Sequence, residues 1–292
     1  MSPYPGANLI SAVPTLFDAH GAVDLGASGA AYAQLAEHDL DGVFVAGTTG
    51  EFTTLTDEER LDVCEAAAAA FGNQRTYWHV GAASLYQASR LTSAAVDRGA
   101  QRLAALTPHY FAATESSVLA YYERLVEVAG DVPVFAYLFA ARATTTVSPE
   151  LLAKVAQTGI AGVKISGEPH DTVRRYAEAL GQDAVPVYSG ADGEFLEVVA
   201  AGGAGVVSGV SSALPQPFLD VRDALRSGDE AALDTARARA RRAINVTKQG
   251  DLAHLKAVLE LRGLPASTLR APLNPITPAE RAALASNVAD LL

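Results

Sequence analysis

The sequence predicts an α/β fold, a (β/α)8 TIM barrel followed by a C-terminal extension of three helices. Short apolar runs, typical of parallel strands buried on both faces, alternate with helical stretches from residue 8 to residue 226. Eight strands and eight helices in this alternation are the signature of a closed barrel. From residue 227 onward the pattern contains helices without strands. We therefore divide the chain into a barrel, residues 1–226, and a helical region, residues 227–292.

The individual elements follow from apolar runs, glycines and capping residues. The predicted strands are residues 8–15, 42–46, 76–81, 102–107, 133–137, 160–165, 185–189 and 205–208. The clearest helix start is Thr56-Asp57-Glu58-Glu59, a capping box in which threonine and glutamate satisfy the first free N–H groups. The predicted barrel helices are residues 25–37, 56–71, 84–98, 116–129, 149–157, 171–180, 193–201 and 216–226. The three C-terminal helices are residues 229–249, 251–262 and 277–291.

An open, doubly wound sheet is the alternative architecture for such an alternation. That fold usually carries a glycine fingerprint directly after its first strand. Here the first strand is followed by Leu16-Phe17-Asp18-Ala19-His20, which contains no glycine. The barrel is therefore the favoured prediction.

Composition limits the partners of the protein. The chain has 292 residues, of which 49% are hydrophobic, and a net charge of −11, so it has no basic surface for nucleic acid or anionic membrane. No apolar run reaches the roughly 18 residues of a membrane span, and the N-terminus lacks the basic start and apolar run of a signal peptide. The single cysteine and the scattered histidines show no ligand spacing, so we expect neither metal nor cofactor. These features predict a cytoplasmic protein that acts on small molecules.

Lys164 is the first candidate for chemistry. It stands near the end of the strand at residues 160–165, between Val163 and Ile165. Desolvation of an ammonium lowers its pKa, and a neutral amine in a dry pocket is the nucleophile of Schiff-base catalysis. The alternative is a lysine that extends past the strand end into water. The other lysines, Lys154, Lys248 and Lys256, lie in polar or amphipathic helical stretches and are predicted to be at the surface.

Other polar residues follow the strands at the end of a barrel where active sites form. After the second strand, Gly47-Thr48-Thr49-Gly50-Glu51 places two hydroxyls between two glycines. Such a tight turn exposes backbone N–H groups suited to a small carboxylate, although solvated threonines in a simple turn have the same pattern. The remaining candidates at strand ends are Tyr110, Tyr137, Arg142, Gly190, Asp192, Val207 and Ser208.

In order and spacing, these residues resemble the pyruvate-dependent class I aldolase/lyase superfamily. It includes dihydrodipicolinate synthase, N-acetylneuraminate lyase and 2-keto-3-deoxygluconate aldolase. The resemblance covers nearly the whole chain, from Leu9 to the C-terminal helices. The stretches that carry it are Gly47-Thr48-Thr49-Gly50-Glu51, Pro108-His109-Tyr110, Tyr137, Gly162-Val163-Lys164 and Ser189-Gly190-Ala191-Asp192.

The resemblance implies a role for each catalytic candidate. Lys164 would form the imine with the keto carbon of pyruvate, and Tyr137 would pass protons at the imine and at the acceptor oxygen. Thr48 would link Tyr137 to Tyr110, which members of the superfamily lend across a dimer interface. A homodimer or homotetramer is therefore expected.

The resemblance also implies how substrates bind. Thr49 and backbone N–H groups near it, including that of Gly50, would hold the pyruvate carboxylate, and the backbones of Gly190 and Val207 would line the site. Asp192 stands where the lyase contacts sugar hydroxyls.

Two further positions leave alternatives open. Arg142 stands where the synthase binds the carboxylate of aspartate semialdehyde, but the sequence around it differs, so it either binds an acidic acceptor or forms a surface salt bridge. Ser208 and the nearby Ser211 and Ser212 either bond a polyol or cap the next helix.

The expected function is a class I aldolase or lyase that joins or separates pyruvate and an aldehyde. Its substrate would be of the 2-keto-3-deoxy sugar acid or 4-hydroxy-2-oxo acid type. The first alternative is 4-hydroxy-tetrahydrodipicolinate (dihydrodipicolinate) synthase, which condenses pyruvate with aspartate semialdehyde. A remote alternative is a catalytically silent barrel that binds a keto acid. The joint presence of Lys164, Tyr137, Thr48 and Tyr110 argues against that last alternative.

Overall fold

The computed structural model describes residues 4–181, 185–270 and 272–292. Residues 1–3 and 182–184 of the predicted barrel region, and Ala271, lie outside the described residues. The strands are β1 (Asn8–Ala12), β2 (Gly42–Val45), β3 (Thr76–His79), β4 (Leu103–Leu106), β5 (Val134–Leu138), β6 (Gly162–Ile165), β7 (Val187–Ser189) and β8 (Gly205–Ser208). The helices are α1 (Leu25–Ala36), α2 (Asp57–Phe71), α3 (Leu85–Asp97), α4 (Glu115–Ala129), α5 (Ala140–Ala143), α6 (Pro149–Ala156), α7 (His170–Leu180), α8 (Phe195–Ala200), α9 (Pro215–Ser227), α10 (Glu230–Val246), α11 (Leu252–Leu261) and α12 (Pro278–Val288).

The strands β1 to β8 pair in chain order and form a closed barrel. Pairing is parallel wherever the register is resolved, for example between β5 and β6. Apart from Asn8 at the start of β1, every strand residue is buried, which explains why the strands appear in the sequence as continuous apolar runs rather than alternating ones. The predicted (β/α)8 barrel, followed by three C-terminal helices, is confirmed.

Six of the eight strands are shorter than predicted, and one helix was not predicted. The predicted strand at residues 160–165 is observed as β6, Gly162–Ile165, which begins two residues later. The additional helix is α5, Ala140–Ala143, which follows β5. A helix of four residues is too short to produce a helical periodicity in the sequence. The capping box predicted at Thr56 is present, with Glu59 as its reciprocal partner.

Contacts within the backbone group the chain into two compact units, residues 1–72 with 208–292, and residues 73–207. In the first unit α10 packs against α9, and α12 packs against α11. In the second unit α3 packs against α4, and α6 packs against α7. The boundary at residues 226 and 227 remains a prediction about the organisation of the chain. Among the described residues no helix is long and apolar enough to cross a membrane.

Within the second unit, the register aligns one residue from each of five neighbouring strands. The aligned residues are Leu106, Tyr137, Lys164, Tyr188 and Gly205. Residues paired across parallel strands point to the same face of the sheet. Tyr137 and Lys164 therefore lie side by side on one face of the sheet. Two residues on adjacent strands must be placed in this way if they act together.

A buried guanidinium stabilises the first unit. Arg222 of α9 is almost fully buried, and its ion pairs reach Asp39, Asp41 and Asp223 at 3.3, 3.5 and 2.8 Å. Asp41 also accepts the backbone N–H of Leu9 at 2.8 Å. The arginine thus connects α9 to the residues that begin β1 and β2.

We predict that Arg222→Met lowers the free energy of unfolding by about 1–3 kcal/mol, because buried hydrogen-bonding partners lose a charged donor. Arg124→Met is the matched control, since Arg124 pairs with Glu127 on the surface and such pairs contribute at most about 1 kcal/mol. Chemical denaturation of both variants measures the difference. Equal losses in the two variants would contradict the role assigned to Arg222.

Candidate active site

Lys164 lies at the third position of β6, with only 6% of its surface exposed. Its neighbours Val163 and Ile165 are fully buried. Desolvation by this burial lowers the pKa of the Lys164 amine to about 7, well below the usual value for lysine. Of the two alternatives for this residue, extension into water does not occur. The amine is therefore partly neutral near neutral pH and able to act as a nucleophile.

Tyr137 is held directly beside this amine. Its side chain is 1% exposed, and Nζ of Lys164 lies 4.1 Å from the centre of the tyrosine ring. The ring also meets the imidazole of His79 edge to face, with centroids 6.0 Å apart. Nε2 of His79 in turn accepts the backbone N–H of Leu106 at 3.2 Å, which fixes the imidazole. His79 had not been singled out from the sequence, because a histidine within an apolar strand carries no spacing signal.

The turn at residues 47–51 is folded tightly upon itself. A Cβ at Gly47 would lie 2.7 Å from the ring of Phe44, and one at Gly50 would lie 3.0 Å from Cα of Ala46. The N–H of Glu51 donates to the carbonyl of Thr48 at 3.1 Å. Only glycine fits at both close approaches, as the predicted tight turn requires. Within it, Thr48 and Thr49 are half-buried.

The end of β8 approaches the same turn, within the same unit. The hydroxyl of Thr49 lies 3.2 Å from the position that a Cβ at Gly209 would occupy. Ser208 is fully buried, and its hydroxyl accepts the N–H of Ser211 at 3.0 Å. The hydroxyl of Ser212 donates to the carbonyl of Gly209 at 2.7 Å. These bonds hold the turn after β8, and the hydroxyl of Ser211 lies 2.5 Å from that of Ser11.

Tyr110 has a different environment from Tyr137. It is 79% exposed, has a positive φ of 77°, and contacts the equally exposed ring of Phe111 edge to face at 4.9 Å. A pair of aromatic rings exposed to this extent is unusual on a surface that meets only water.

Arg142 lies on α5 and is exposed. Its guanidinium forms no ion pair within the described part of the chain, so the alternative of an intramolecular salt bridge is not realised. Asp192 begins a short 3₁₀ turn after β7 and is half-buried, and Val207 is buried in β8. A Cβ at Gly190 would lie 2.5 Å from Oγ of Ser166, so glycine permits the close approach of the segment that follows Lys164.

The surface position predicted for Lys256 is wrong. Lys256 is 3% exposed, and its Nζ lies 2.6 Å from Oε1 of Glu51. In α11 every residue from Ala253 to Leu259 is buried, so the helix has no polar face on which this lysine could reach water. The run Leu252–Leu261 contains few polar residues, and this composition was the available signal. Lys154 and Lys248 are exposed, as predicted.

No group of three or more histidine, cysteine, aspartate or glutamate side chains within residues 4–181, 185–270 and 272–292 is arranged to hold a metal ion.

Known proteins match this chain over nearly its full length. The profile of the dihydrodipicolinate synthetase family matches residues 6–291. A 4-hydroxy-tetrahydrodipicolinate synthase of Kineococcus radiotolerans is 34% identical, over 98% of this chain and 93% of that protein. An N-acetylneuraminate lyase of Rhizobium meliloti is 31% identical, over 97% and 95%. The crystal structure of YagE, a prophage protein of E. coli K12 in complex with pyruvate, superposes with a TM-score of 0.89 at 23% identity, over 98% of both chains.

A closed eight-stranded barrel, together with these relatives, defines a pyruvate-dependent class I aldolase or lyase. The chain belongs to the dihydrodipicolinate synthetase family. The expected enzyme class, which makes or breaks a bond between pyruvate and an aldehyde, is thereby confirmed. Because synthase and lyase relatives match about equally well, both the broad aldolase and the synthase alternative remain open at the level of substrate.

We predict that the Lys164 amine becomes reactive as the pH rises through about 7 and reaches a plateau above that value. Raising the pH removes the proton, and only the neutral amine attacks a carbonyl. Labelling by a dilute amine-specific reagent, followed by peptide mass spectrometry, measures the profile. The exposed Lys154 is the internal control, because its amine lies at the surface rather than in the core. A Lys164 profile that coincides with that of Lys154 would mean that the amine is solvated.

Proposed function

We propose that Lys164 is the nucleophile of a class I aldolase that takes pyruvate as its keto substrate. The observation that carries this proposal is the buried amine of Lys164, whose pKa is lowered to about 7, against the ring of Tyr137. The neutral Nζ attacks C2 of pyruvate, and the resulting carbinolamine loses water to become an imine. The protonated imine withdraws electrons, so a proton leaves C3 and an enamine forms. The enamine carbon then attacks an aldehyde, and the reverse sequence is a retro-aldol cleavage.

Tyr137 supplies the proton transfers in this proposal. A phenol beside the amine gives a proton to the departing hydroxide of the carbinolamine and later to the oxygen of the aldehyde. Thr48 relays protons between Tyr137 and Tyr110. Support for these roles comes from the contact between Lys164 and Tyr137 and from family membership.

Pyruvate binding is assigned to the turn at residues 47–51. Thr49 and the backbone N–H of Gly50 hold the carboxylate of pyruvate, because a tight turn with free N–H groups is a small anion site. The backbones of Gly190 and Val207 line the remainder of the site, together with Ser208, whose hydroxyl accepts the N–H of Ser211 and, like any hydroxyl, also carries a donor proton.

The acceptor is an aldehyde from a 2-keto-3-deoxy sugar acid or a 4-hydroxy-2-oxo acid. Asp192, half-buried after β7, is placed to accept hydrogen bonds from hydroxyl groups of such a substrate. The exposed guanidinium of Arg142 supports an acceptor that carries a carboxylate, because a guanidinium binds a carboxylate through two parallel hydrogen bonds.

The same arginine favours a second candidate function, 4-hydroxy-tetrahydrodipicolinate synthase. Aspartate semialdehyde carries a carboxylate that Arg142 would bind, and one of the matched relatives is named as this synthase. Consumption of aspartate semialdehyde together with pyruvate would support the synthase, whereas release of pyruvate from a 2-keto-3-deoxy sugar acid would support the broader aldolase. A silent keto-acid-binding barrel is the remaining alternative.

We also propose a homodimer, doubled to a homotetramer, as the functional unit, and a cytoplasmic location. The exposed pair Tyr110 and Phe111 supports the dimer, because two large rings open to water become buried when a second copy covers them.

We predict that incubation with pyruvate and borohydride adds one reduced pyruvate per chain, because hydride reduction makes the imine a stable secondary amine. Lys164→Ala should abolish the adduct, whereas Lys154→Ala, which removes an exposed amine, should leave it intact. Intact-mass measurement followed by peptide mapping locates the label. Absence of an adduct on folded wild-type protein would defeat the proposed mechanism and leave the silent barrel as the better account.

We predict that Tyr110→Phe lowers kcat by about 10- to 100-fold, because it removes one hydroxyl from a proton relay. Tyr86→Phe is the matched control, since Tyr86 is also a highly exposed tyrosine, at the start of α3, and has no part in the proposed relay, so it should keep wild-type activity. Steady-state kinetics and sedimentation of both variants are compared with the wild type. Full activity of Tyr110→Phe, or of a dilute monomer, would rule out the shared relay.

A further inference from the structure

The turn at residues 47–51 is bounded by two strained backbone positions. Ala46 and Glu51 have φ values of 52° and 57°, in the left-handed region that residues with a Cβ seldom occupy. Neither residue is a glycine, so both conformations cost free energy. Such conformations persist only where the surroundings enforce them. Something outside the turn must therefore hold Glu51.

An ion pair with Lys256 holds the side chain of Glu51. The residue is 3% exposed, and its Oε1 lies 2.6 Å from Nζ of Lys256, which is equally buried. The contact is an ion pair rather than an aligned hydrogen bond, and Oε2 has no hydrogen-bond partner among the described residues. A carboxylate buried in this way is strongly destabilising without a cation beside it, so the position of Glu51 depends on Lys256.

Lys256 is itself fixed from several sides. Its Nζ donates to the carbonyl of Thr268 at 2.9 Å and lies 4.3 Å from the centre of the Phe17 ring. Arg270 contacts the same ring at 4.5 Å. Burial lowers the pKa of Lys256, and the charge of Glu51 opposes that shift. The cation therefore has a defined location, and it is supplied by the C-terminal helical region.

The turn transmits the position of Glu51 to the two threonines. The N–H of Glu51 donates to the carbonyl of Thr48 at 3.1 Å, and the hydroxyl of Thr15 donates to the carbonyl of Gly50 at 2.9 Å. Gly50 packs closely against the backbone of Ala46, so the loop is tightly packed. A rotation at Glu51 must therefore displace Thr48 and Thr49.

We infer that Glu51 and Lys256 form a positioning pair, through which the C-terminal helical region sets the geometry of the pyruvate-binding turn. Neither residue touches the substrate. The inference rests on the proposed function, because Thr48 and Thr49 are assigned to catalysis and to the pyruvate carboxylate there. It assigns to the helices after residue 226 a role in substrate binding, in addition to their packing.

The test compares two buried ion pairs of the first unit. Glu51→Gln and Lys256→Met each remove one charge of the positioning pair. Asp41→Asn and Arg222→Met are the controls, because Arg222 and Asp41 also form a pair inside this unit, but at the start of β1 and β2 rather than at the turn after β2. For every variant the KM for pyruvate, kcat and Tm are measured, together with hydrogen exchange of the peptide that covers residues 46–52.

We expect Glu51→Gln and Lys256→Met to raise the KM for pyruvate about tenfold and to speed exchange of the turn peptide. The controls should lower Tm by a similar amount but change KM by less than about twofold. The double variant Glu51→Gln/Lys256→Met should raise KM by less than the product of the two single effects, because each removes the same contact. Should Glu51→Gln not fold, Glu51→Asp keeps the charge, shortens the reach of the carboxylate and should also raise KM.

Two outcomes would overturn the inference. In the first, all four single variants lower Tm while KM and the exchange of the turn stay at wild-type values, which describes a pair that only stabilises the fold. In the second, the controls raise KM as much as the positioning pair does. Failure of the proposed function is distinguishable, because wild-type protein would then trap no pyruvate. Faster exchange of the turn in Glu51→Gln and not in Asp41→Asn would still support the positioning pair.

Discussion

The burial of one primary amine is the constraint on which the rest of the site depends. Lys164 sits within a parallel strand whose neighbouring residues are fully buried, and desolvation there lowers its pKa to about 7. A lysine in water would be almost entirely protonated at that pH and unable to attack a ketone. Keeping the amine dry requires a closed wall of strands around it, which is what a parallel barrel with both faces covered provides. The stable core and the reactive amine are thus two results of one architecture.

Lys256, in the other compact unit, is a second buried amine, and its surroundings differ from those of Lys164. Nζ of Lys256 lies 2.6 Å from Oε1 of Glu51, whereas Nζ of Lys164 lies 4.1 Å from the centre of the Tyr137 ring. Desolvation lowers the pKa of both amines, and in Lys256 a carboxylate opposes it. One lysine is thereby suited to form a covalent bond, and the other to hold a strained turn in place.

The two side chains proposed for the acceptor are of another kind. Arg142 and Asp192 lie in segments after the strands rather than within them, and Arg142 is exposed while Asp192 is half-buried. Loops at strand ends change without cost to the barrel, so a family can keep the amine and exchange the aldehyde partner.

The sequence by itself determined the barrel and the three C-terminal helices, because buried parallel strands appear as apolar runs. It also singled out Lys164 and Tyr137 as candidates, since a lysine within such a run is conspicuous. It did not determine the depth of Lys256 or the contact of His79 with Tyr137. Both arise where residues distant in the chain meet: Glu51 and Lys256 are brought together only when α11 packs beside the turn after β2. Whether a lysine is solvated depends on what surrounds it in space, and no local pattern encodes that. Tertiary structure alone decided which of the four lysines in the chain are buried.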